Sequence, residues 1–342
     1  MKHLLNTLYV TTQGSYLHQD GETVAVMFEN ETRLRVPIHT LEGVICLGRV
    51  TVSPPLMKLC CERGVYISYL SEQGNFYARV EGPISGNVLL RREQYRIADD
   101  EVRKTELARA FVVAKVANSR MVLLRALRDH SDKIEKETTG RACRDLAAII
   151  EELKADLSLD QIRGKEGEAA RCYFDVFDNL IVAQKEDFYF RGRNRRPPMD
   201  NMNALLSFVY TLVTHDVRSA LQSVGLDPAV GYLHADRPGR PSLALDLIEE
   251  LRPPYADRLA LSLVNRQQVR GKGFTTTETG AVMMDDATRK EVIVAYQERK
   301  KEEILHPFLN DKVMLGLLPH IQALLLARYL RGDLDGYPPF AK

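Results

Sequence analysis

No stretch of this 342-residue chain is apolar for long enough to cross a bilayer, and charge interrupts even its greasiest run, Ala323 to Tyr329. The opening MKHLLNTLYVTTQGSY lacks the apolar core and cleavage site of a secretory leader, because polar residues enter too early. A soluble, cytoplasmic protein is expected. Cysteine is scarce: Cys46, Cys60, Cys61, Cys143 and Cys172 are odd in number and form no CxxC pair. That excludes a disulfide framework and a thiolate zinc site, and predicts free thiols in a reducing compartment. There is no surplus of either charge, since 47 basic side chains face 46 acidic ones for a net +1. Bulk charge therefore cannot hold the chain on nucleic acid, although local basic patches remain open to it. GxxxxGK[ST], a strand-placed GxGxxG and GxSxG are all absent, so nucleotide binding has no motif to rest on. Internal repeats and low-complexity tracts are absent as well.

What is present is ordinary globular composition, with 45% hydrophobic and 27% charged residues, in a chain long enough for two domains. From residue 1 to about 85, the runs Leu4–Thr11, Thr23–Glu29, Thr32–Pro37, Gly43–Val50 and Val65–Leu70 read as strands. Asp20-Gly21 and Asn30 mark tight turns between them. Pro54–Arg63, with prolines at its start and Gly64 past its end, reads as a short helix. This half carries seven basic against eight acidic side chains and shows no basic face.

After Gly82-Pro83 the pattern changes to long helices. Leu107, Phe111, Ala114, Met121 and Leu124 keep helical spacing and predict one helix over Val102–Asp129. Further helices are expected near 142–157, 162–184, 203–223, 242–251, 286–304 and 308–331, with a hairpin around Gly280. The expected fold is α+β: a small β-sandwich-like N-terminal domain over 1–85, then a larger, mainly α-helical domain over 86–342.

Chemistry-bearing residues concentrate in the helical half. Glu166 lies between Gly164 and Gly167 inside a helical pattern, where each glycine costs roughly 1 kcal/mol against alanine. Such glycines are tolerated where a backbone or ligand comes close; the plain alternative is a helix start with acids in its first turn. Asp246 and Glu249 are three apart on a helix expected to start at Ser242 as N-cap, and so share one face. Two acids there raise each other's pKa, a cost that a divalent cation removes. His234 precedes the Asp236–Pro241 loop and is near enough in sequence to join them. The plain alternative is a solvated acidic face beside a packed histidine. Taken together, Glu166, His234 and Glu249 with Asp246 make an oxygen-and-nitrogen set suited to Mn2+ or Mg2+. Arg191, Arg193, Arg195 and Arg196 crowd a loop before Pro197-Pro198, and with Arg237 and Arg240 they supply candidate phosphate contacts. His215, in the run Asn203–Ser223, reads as ordinary packing or surface.

These motifs, in this order, resemble the universal integrase family of CRISPR adaptation, most closely its type I-C form. The resemblance runs over nearly the whole chain. It includes Ala114-Lys-Val-Ala-Asn-Ser-Arg120, Gly164-Lys-Glu-Gly-Glu-Ala-Ala170, Asn203-Ala-Leu-Leu-Ser-Phe-Val-Tyr210, Gly231-Tyr-Leu-His234, Ser242-Leu-Ala-Leu-Asp-Leu-Ile-Glu249 and Gln322-Ala-Leu-Leu-Leu-Ala-Arg328. It implies a homodimer formed through the β-domains and a metal-dependent endonuclease and integrase serving antiviral defence. In such an enzyme a prespacer 3′-hydroxyl attacks phosphodiesters at the edges of a CRISPR repeat. It also implies double-stranded and branched DNA as substrates, and the small second universal adaptation protein as partner. Matched motif by motif, the metal ligands fall on Glu166, His234 and Glu249, with Asp246 beside them. Several relatives have aspartate where this chain has Glu249, and Glu168 stands close enough to compete with Glu166. The rival readings are a structure-specific nuclease of branched DNA and a non-catalytic DNA-binding scaffold.

Overall fold

Short runs of β-branched and aromatic residues at the start of the chain pair into two four-stranded sheets. The structure, a computed structural model, describes residues 6–72, 74, 76–80, 82, 88–194 and 197–342. By its contacts the chain divides into two compact units, Met1–Ser85 and Gly86–Lys342.

The first unit runs β1 (Asn6–Val10), β2 (Tyr16–Asp20), β3 (Thr23–Phe28), β4 (Glu31–Pro37), β5 (Leu41–Leu47), β6 (Thr51–Val52), α1 (Pro54–Arg63), β7 (Tyr66–Leu70) and β8 (Phe76–Val80). One sheet has the order β1-β5-β7-β8, with its first three strands parallel; Val44 pairs Leu8 on one side and Ile67 on the other. The other sheet has the order β4-β3-β2-β6. Glu29 and Asn30, both at positive φ, make the two-residue turn between β3 and β4. Val10, Val44 and Ile67 from one sheet share a core with Leu17, Val24 and Val52 from the other and Leu56 of α1. Each such side chain contributes about 1.5–3 kcal/mol of burial. Helix α1 ends as expected at left-handed Gly64 after Arg63, and the Ser53 side chain before Pro54 caps its start. Strands β2, β6 and β8 were not expected. Only Leu17 of β2 is buried, and polar His18, Gln19 and Asp20 hide its alternation.

The second unit contains α2 (Val88–Asp99), α3 (Glu101–Asp129), α4 (Lys136–Glu152), α5 (Leu159–Asp175), α6 (Asn201–Ser223), α7 (Ser242–Leu251), α8 (Arg258–Asn265), β9 (Phe274–Thr276), β10 (Val282–Met284), α9 (Asp286–Lys300), β11 (Glu303–His306), β12 (Asp311–Met314) and α10 (Leu318–Leu330). Helix α3 is the axis, packing against α4, α5 and α7. Its buried stripe includes Leu107, Phe111, Lys115, Asn118 and Val122, whereas Met121, expected inside, is exposed. The expected helix 308–331 is corrected: residues 303–314 form an antiparallel hairpin turning at Asn310, which has φ 50, before α10 begins. The helix expected over 162–184 runs from Leu159 to Asp175 and gives way to a 3-10 turn, Phe177–Leu180. The hairpin around Gly280 is present as β9 and β10, with Gly280 at φ 80. All five cysteines are free, and burial pushes the thiols of Cys46 and Cys60 up to about 12, which leaves them unreactive.

Candidate active site

Three elements of the second unit bring the carboxylates and the histidine together. Ser158 caps α5 through a capping box with Gln161, and α5 carries Glu166 in its interior. The first-turn acid of α5 is therefore Asp160, not Glu166. A side chain at Gly164 or Gly167 would meet nothing within 4 Å, so no segment among the described residues requires these glycines. From α5, Arg163 donates to the carbonyl of Leu233 at 2.8 Å and ties this helix to the segment that bears His234.

That segment is folded around Asp246. The backbone N–H groups of Tyr232, Leu233 and His234 all donate to its carboxylate, at 2.6, 3.0 and 2.9 Å. His234 Nδ1 lies 2.7 Å from the same carboxylate. An acceptor already taking three N–H groups calls for Nδ1 as donor, which leaves Nε2 free of Asp246. Gly231 permits the tight fold, since a Cβ there would lie 2.6 Å from that of Ser242. Ser242 is not the N-cap expected from sequence: it is the first helical residue, and its hydroxyl donates to the Ala235 carbonyl at 3.1 Å.

Glu249 forms the floor. Its side chain is 2% exposed, whereas Glu166 keeps 28% and His234 23%, so the group opens to solvent on their side. His234 Nε2 faces Glu249 Oε1 at 4.0 Å, and Arg252 Nη1 holds that same oxygen at 2.6 Å. Lys115 joins the halves: its ammonium lies 2.7 Å from Glu249 Oε2 and hydrogen bonds Glu166 Oε1. Burial alone would push the Glu249 carboxyl up, but Arg252 and Lys115 outweigh it and hold it down at about 2. Lys115, also buried, has its pKa raised by Glu249 and Glu166 against the cost of burial. The expectation that a neighbouring acid raises the pKa of Glu249 is thus corrected. Asp246 turns into the backbone while Glu249 meets two cations.

The remaining sequence candidates lie elsewhere. Glu168 shares Lys165 with Glu152 and does not reach Glu166's partners. Arg191 is exposed, its guanidinium over the Tyr189 ring at 5.2 Å. Arg193 is spent on structure: it donates to Asn203 Oδ1 at 2.7 Å and Ser207 Oγ at 3.0 Å, and stacks over Tyr210. Arg195 and Arg196 lie outside the described residues. Arg237 is exposed and Arg240 half-buried in the loop after His234. Sequence reasoning missed Lys115 and Arg252. A lysine on the apolar stripe of α3 was the available signal.

Among the described residues no three His, Cys, Asp or Glu side chains are already spaced to hold an ion; the Lys115 ammonium fills the gap between Glu166 and Glu249. The donor chemistry nonetheless fits a hard divalent cation. Glu249 Oε2 is buried with the Lys115 ammonium 2.7 Å away, while Glu166 and the Nε2 of His234 stand at the open rim. Two carboxylates and one imidazole suit Mn2+ or Mg2+.

Residues 8–298 match the family model described as CRISPR associated protein Cas1. A CRISPR-associated endonuclease Cas1 1 from Chlorobaculum tepidum is 54% identical over 340 residues, covering 99% of each chain. Among solved structures, a casposase bound to integration product superposes with a TM-score of 0.84 at 22% identity, covering 99% of this chain and 95% of that one. A Cas6-RT-Cas1--Cas2 complex gives 0.83 at 20% identity, covering all (100%) of this chain and 36% of the other. At such identities these structures speak for the fold, and the family rests on the sequence matches: this chain belongs to the Cas1 family of CRISPR-associated proteins.

Proposed function

We propose that the chain is a divalent-metal-dependent DNA endonuclease and integrase that inserts prespacer DNA into a CRISPR array. One observation carries the reading: Glu166 and Glu249 meet at a single buried ammonium, with Nε2 of His234 4.0 Å from Glu249 Oε1. Relatives named as endonucleases and a fold shared with an integration complex support it.

Glu166, His234 and Glu249 would hold Mn2+ or Mg2+. Such an ion, when bound, lowers the pKa of an attacking hydroxyl and offsets charge on the scissile phosphate. The chain supplies orientation and charge. Asp246 keeps the proton on His234 Nδ1, so that Nε2 points outward as a lone pair. Arg252 and Lys115 hold positive charge beside the carboxylates, where a phosphodiester of the target strand would lie. Arg237 at the exposed loop supplies a backbone contact without reading sequence. In the strand-transfer step the prespacer 3′-oxygen bonds to phosphorus as its proton passes to solvent, and the phosphorus bond to the target 3′-oxygen breaks, that oxygen taking a proton from solvent to leave as a 3′-hydroxyl. The same geometry serves hydrolysis when water replaces the hydroxyl.

The β-domain is assigned the homodimer contact, and the small second universal adaptation protein is the proposed partner, a pairing supported by the Cas1–Cas2 complex that shares this fold. The test combines purified chain, small partner, labelled prespacer and a supercoiled array plasmid, with and without Mn2+. Metal-dependent joining at the repeat edges is expected. Cleavage of branched DNA without joining would replace integration by a nuclease reading. DNA binding without turnover would leave only a scaffold.

A further inference from the structure

Behind Glu249, on the side away from solvent, α3 and α7 are locked together by a polar clamp that no step above uses. Asn118, 1% exposed, stands three residues after Lys115 on α3. Its amide nitrogen donates to the carbonyl of Glu250 at 2.8 Å and to that of Phe340 at 2.7 Å, and its Oδ1 accepts the N–H of Lys342 at 3.0 Å. Every polar atom of this side chain is thereby committed to main chain from two other segments.

Glu250, the residue after Glu249, is fully buried and faces the opposite way. Its Oε1 accepts the Tyr337 hydroxyl at 2.6 Å. Its Oε2 accepts Gln322 Nε2 at 2.8 Å and the Phe340 N–H at 2.7 Å. Gln322 of α10 also donates to the Tyr337 hydroxyl at 2.8 Å, and its Oε1 faces His306 Nε2 at 2.9 Å. Among the described residues, the groups that hydrogen bond this buried carboxylate are all neutral. A buried acid held only by neutral donors is a costly way to pack a core, and apolar side chains of similar volume do it more cheaply. What the polar version adds is a fixed register, because each hydrogen bond has one geometry.

We propose that Asn118 and Glu250, with the segment Tyr337–Lys342, are positioning residues that set where the Glu249 carboxylate stands relative to Lys115 and His234. The proposal rests on the metal reading above. Lys115 and Asn118 share one face of α3, while Glu249 and Glu250 are neighbours on α7, so the clamp fixes both ends of the Lys115–Glu249 contact. Removing it lets α7 shift without exposing any ligand.

The test measures Mn2+ affinity by calorimetry and thermal stability, side by side, on the full chain. Asn118→Ala and Glu250→Leu are expected to weaken Mn2+ binding about 10- to 100-fold, as loss of outer-shell partners does, with DNA affinity unchanged. Glu250→Gln restores it to within about threefold of the parent, because its oxygen still accepts from Gln322 and Phe340 while its NH2 turns to Tyr337. Tyr337→Phe removes one hydroxyl at almost constant volume and weakens binding roughly fivefold, which keeps the test open if the larger changes prevent folding. Phe188→Leu, in the core against Phe274, is the control for simple destabilisation. Parental Mn2+ affinity in folded Asn118→Ala, or equal weakening in Phe188→Leu, overturns the clamp. Unchanged affinity in Glu249→Gln overturns the metal reading itself and the clamp's role with it, so the two failures are told apart.

Discussion

The imidazole of His234 is held by Asp246, Nδ1 to Oδ1 at 2.7 Å, through a carboxylate that also gathers three consecutive backbone N–H groups. In the proposed site Asp246 would therefore act through His234 and not as a ligand. Asp246→Asn turns one acceptor into a donor against those N–H groups and frees the ring. It is expected to lower strand transfer about 10- to 100-fold, with Mn2+ affinity reduced in step and DNA affinity kept. Steady-state rates across a Mn2+ titration check this; parental rates at saturating Mn2+ would contradict a role in holding the ring.

Repulsion between the acids would make their removal stabilising in metal-free buffer. The geometry predicts the opposite. Glu249 is buried between Lys115 and Arg252, so Glu249→Ala leaves two buried cations short of a partner. A loss of about 3 kcal/mol is expected in chelator-containing buffer, read from denaturant unfolding. A gain in stability would show that the carboxylate is held there under strain.

Much of this architecture is legible in the residues, for physical reasons that differ by element. Pro54–Arg63 and Ser242–Leu251 carry their own punctuation or a strong apolar face, and the expected bounds coincide with those found. The hairpin at 303–314 was not legible, because the apolar residues Leu305, Phe308 and Leu309 mimic helical spacing although all three are exposed. In the site, the carboxylates and His234 drew notice as acids and a histidine at suggestive spacing. Lys115 did not, because a basic residue within a helical pattern reads as a solvated face until its neighbours Phe111 and Asn118 are known to be buried.

The arginine loop divides into residues with different tasks. Arg193 is bonded to Asn203 and Ser207 and packed on Tyr210, so Arg193→Ala is expected to cost about 2 kcal/mol of stability, seen as a lower Tm. Arg191 is exposed, so Arg191→Glu is expected to leave Tm unchanged while reducing the salt slope of DNA binding by about one. An unaltered slope would remove Arg191 from the DNA path.

Asp257 offers a pH test away from the proposed ligands. It is buried, accepting the hydroxyls of Tyr210 at 2.5 Å and Tyr173 at 3.1 Å, with Arg252 and Arg193 nearby. Burial pushes its carboxyl up to about 6, against the pull of those hydroxyls and arginines. The native state thus holds a proton that the unfolded chain has released above about pH 4. Stability from this group is complete below that pH and is lost as pH rises toward 6, by on the order of 3 kcal/mol. Asp257→Asn should remove this loss, so the Tm of the variant rises relative to the parent across pH 4 to 6. A constant difference across that window would mean that Asp257 ionises in the native state as readily as in the unfolded chain.

Under the proposed function, Glu166, His234 and Glu249 act together on one divalent ion. The most direct test is the rate of prespacer strand transfer against Mn2+ concentration, for the parent, for Glu166→Ala and for His215→Ala as a buried histidine outside the group. Activity in the parent should require Mn2+, Glu166→Ala should lose at least about a hundredfold while still binding DNA, and His215→Ala should keep most of it. Full activity in Glu166→Ala, with its dependence on metal retained, would contradict the account.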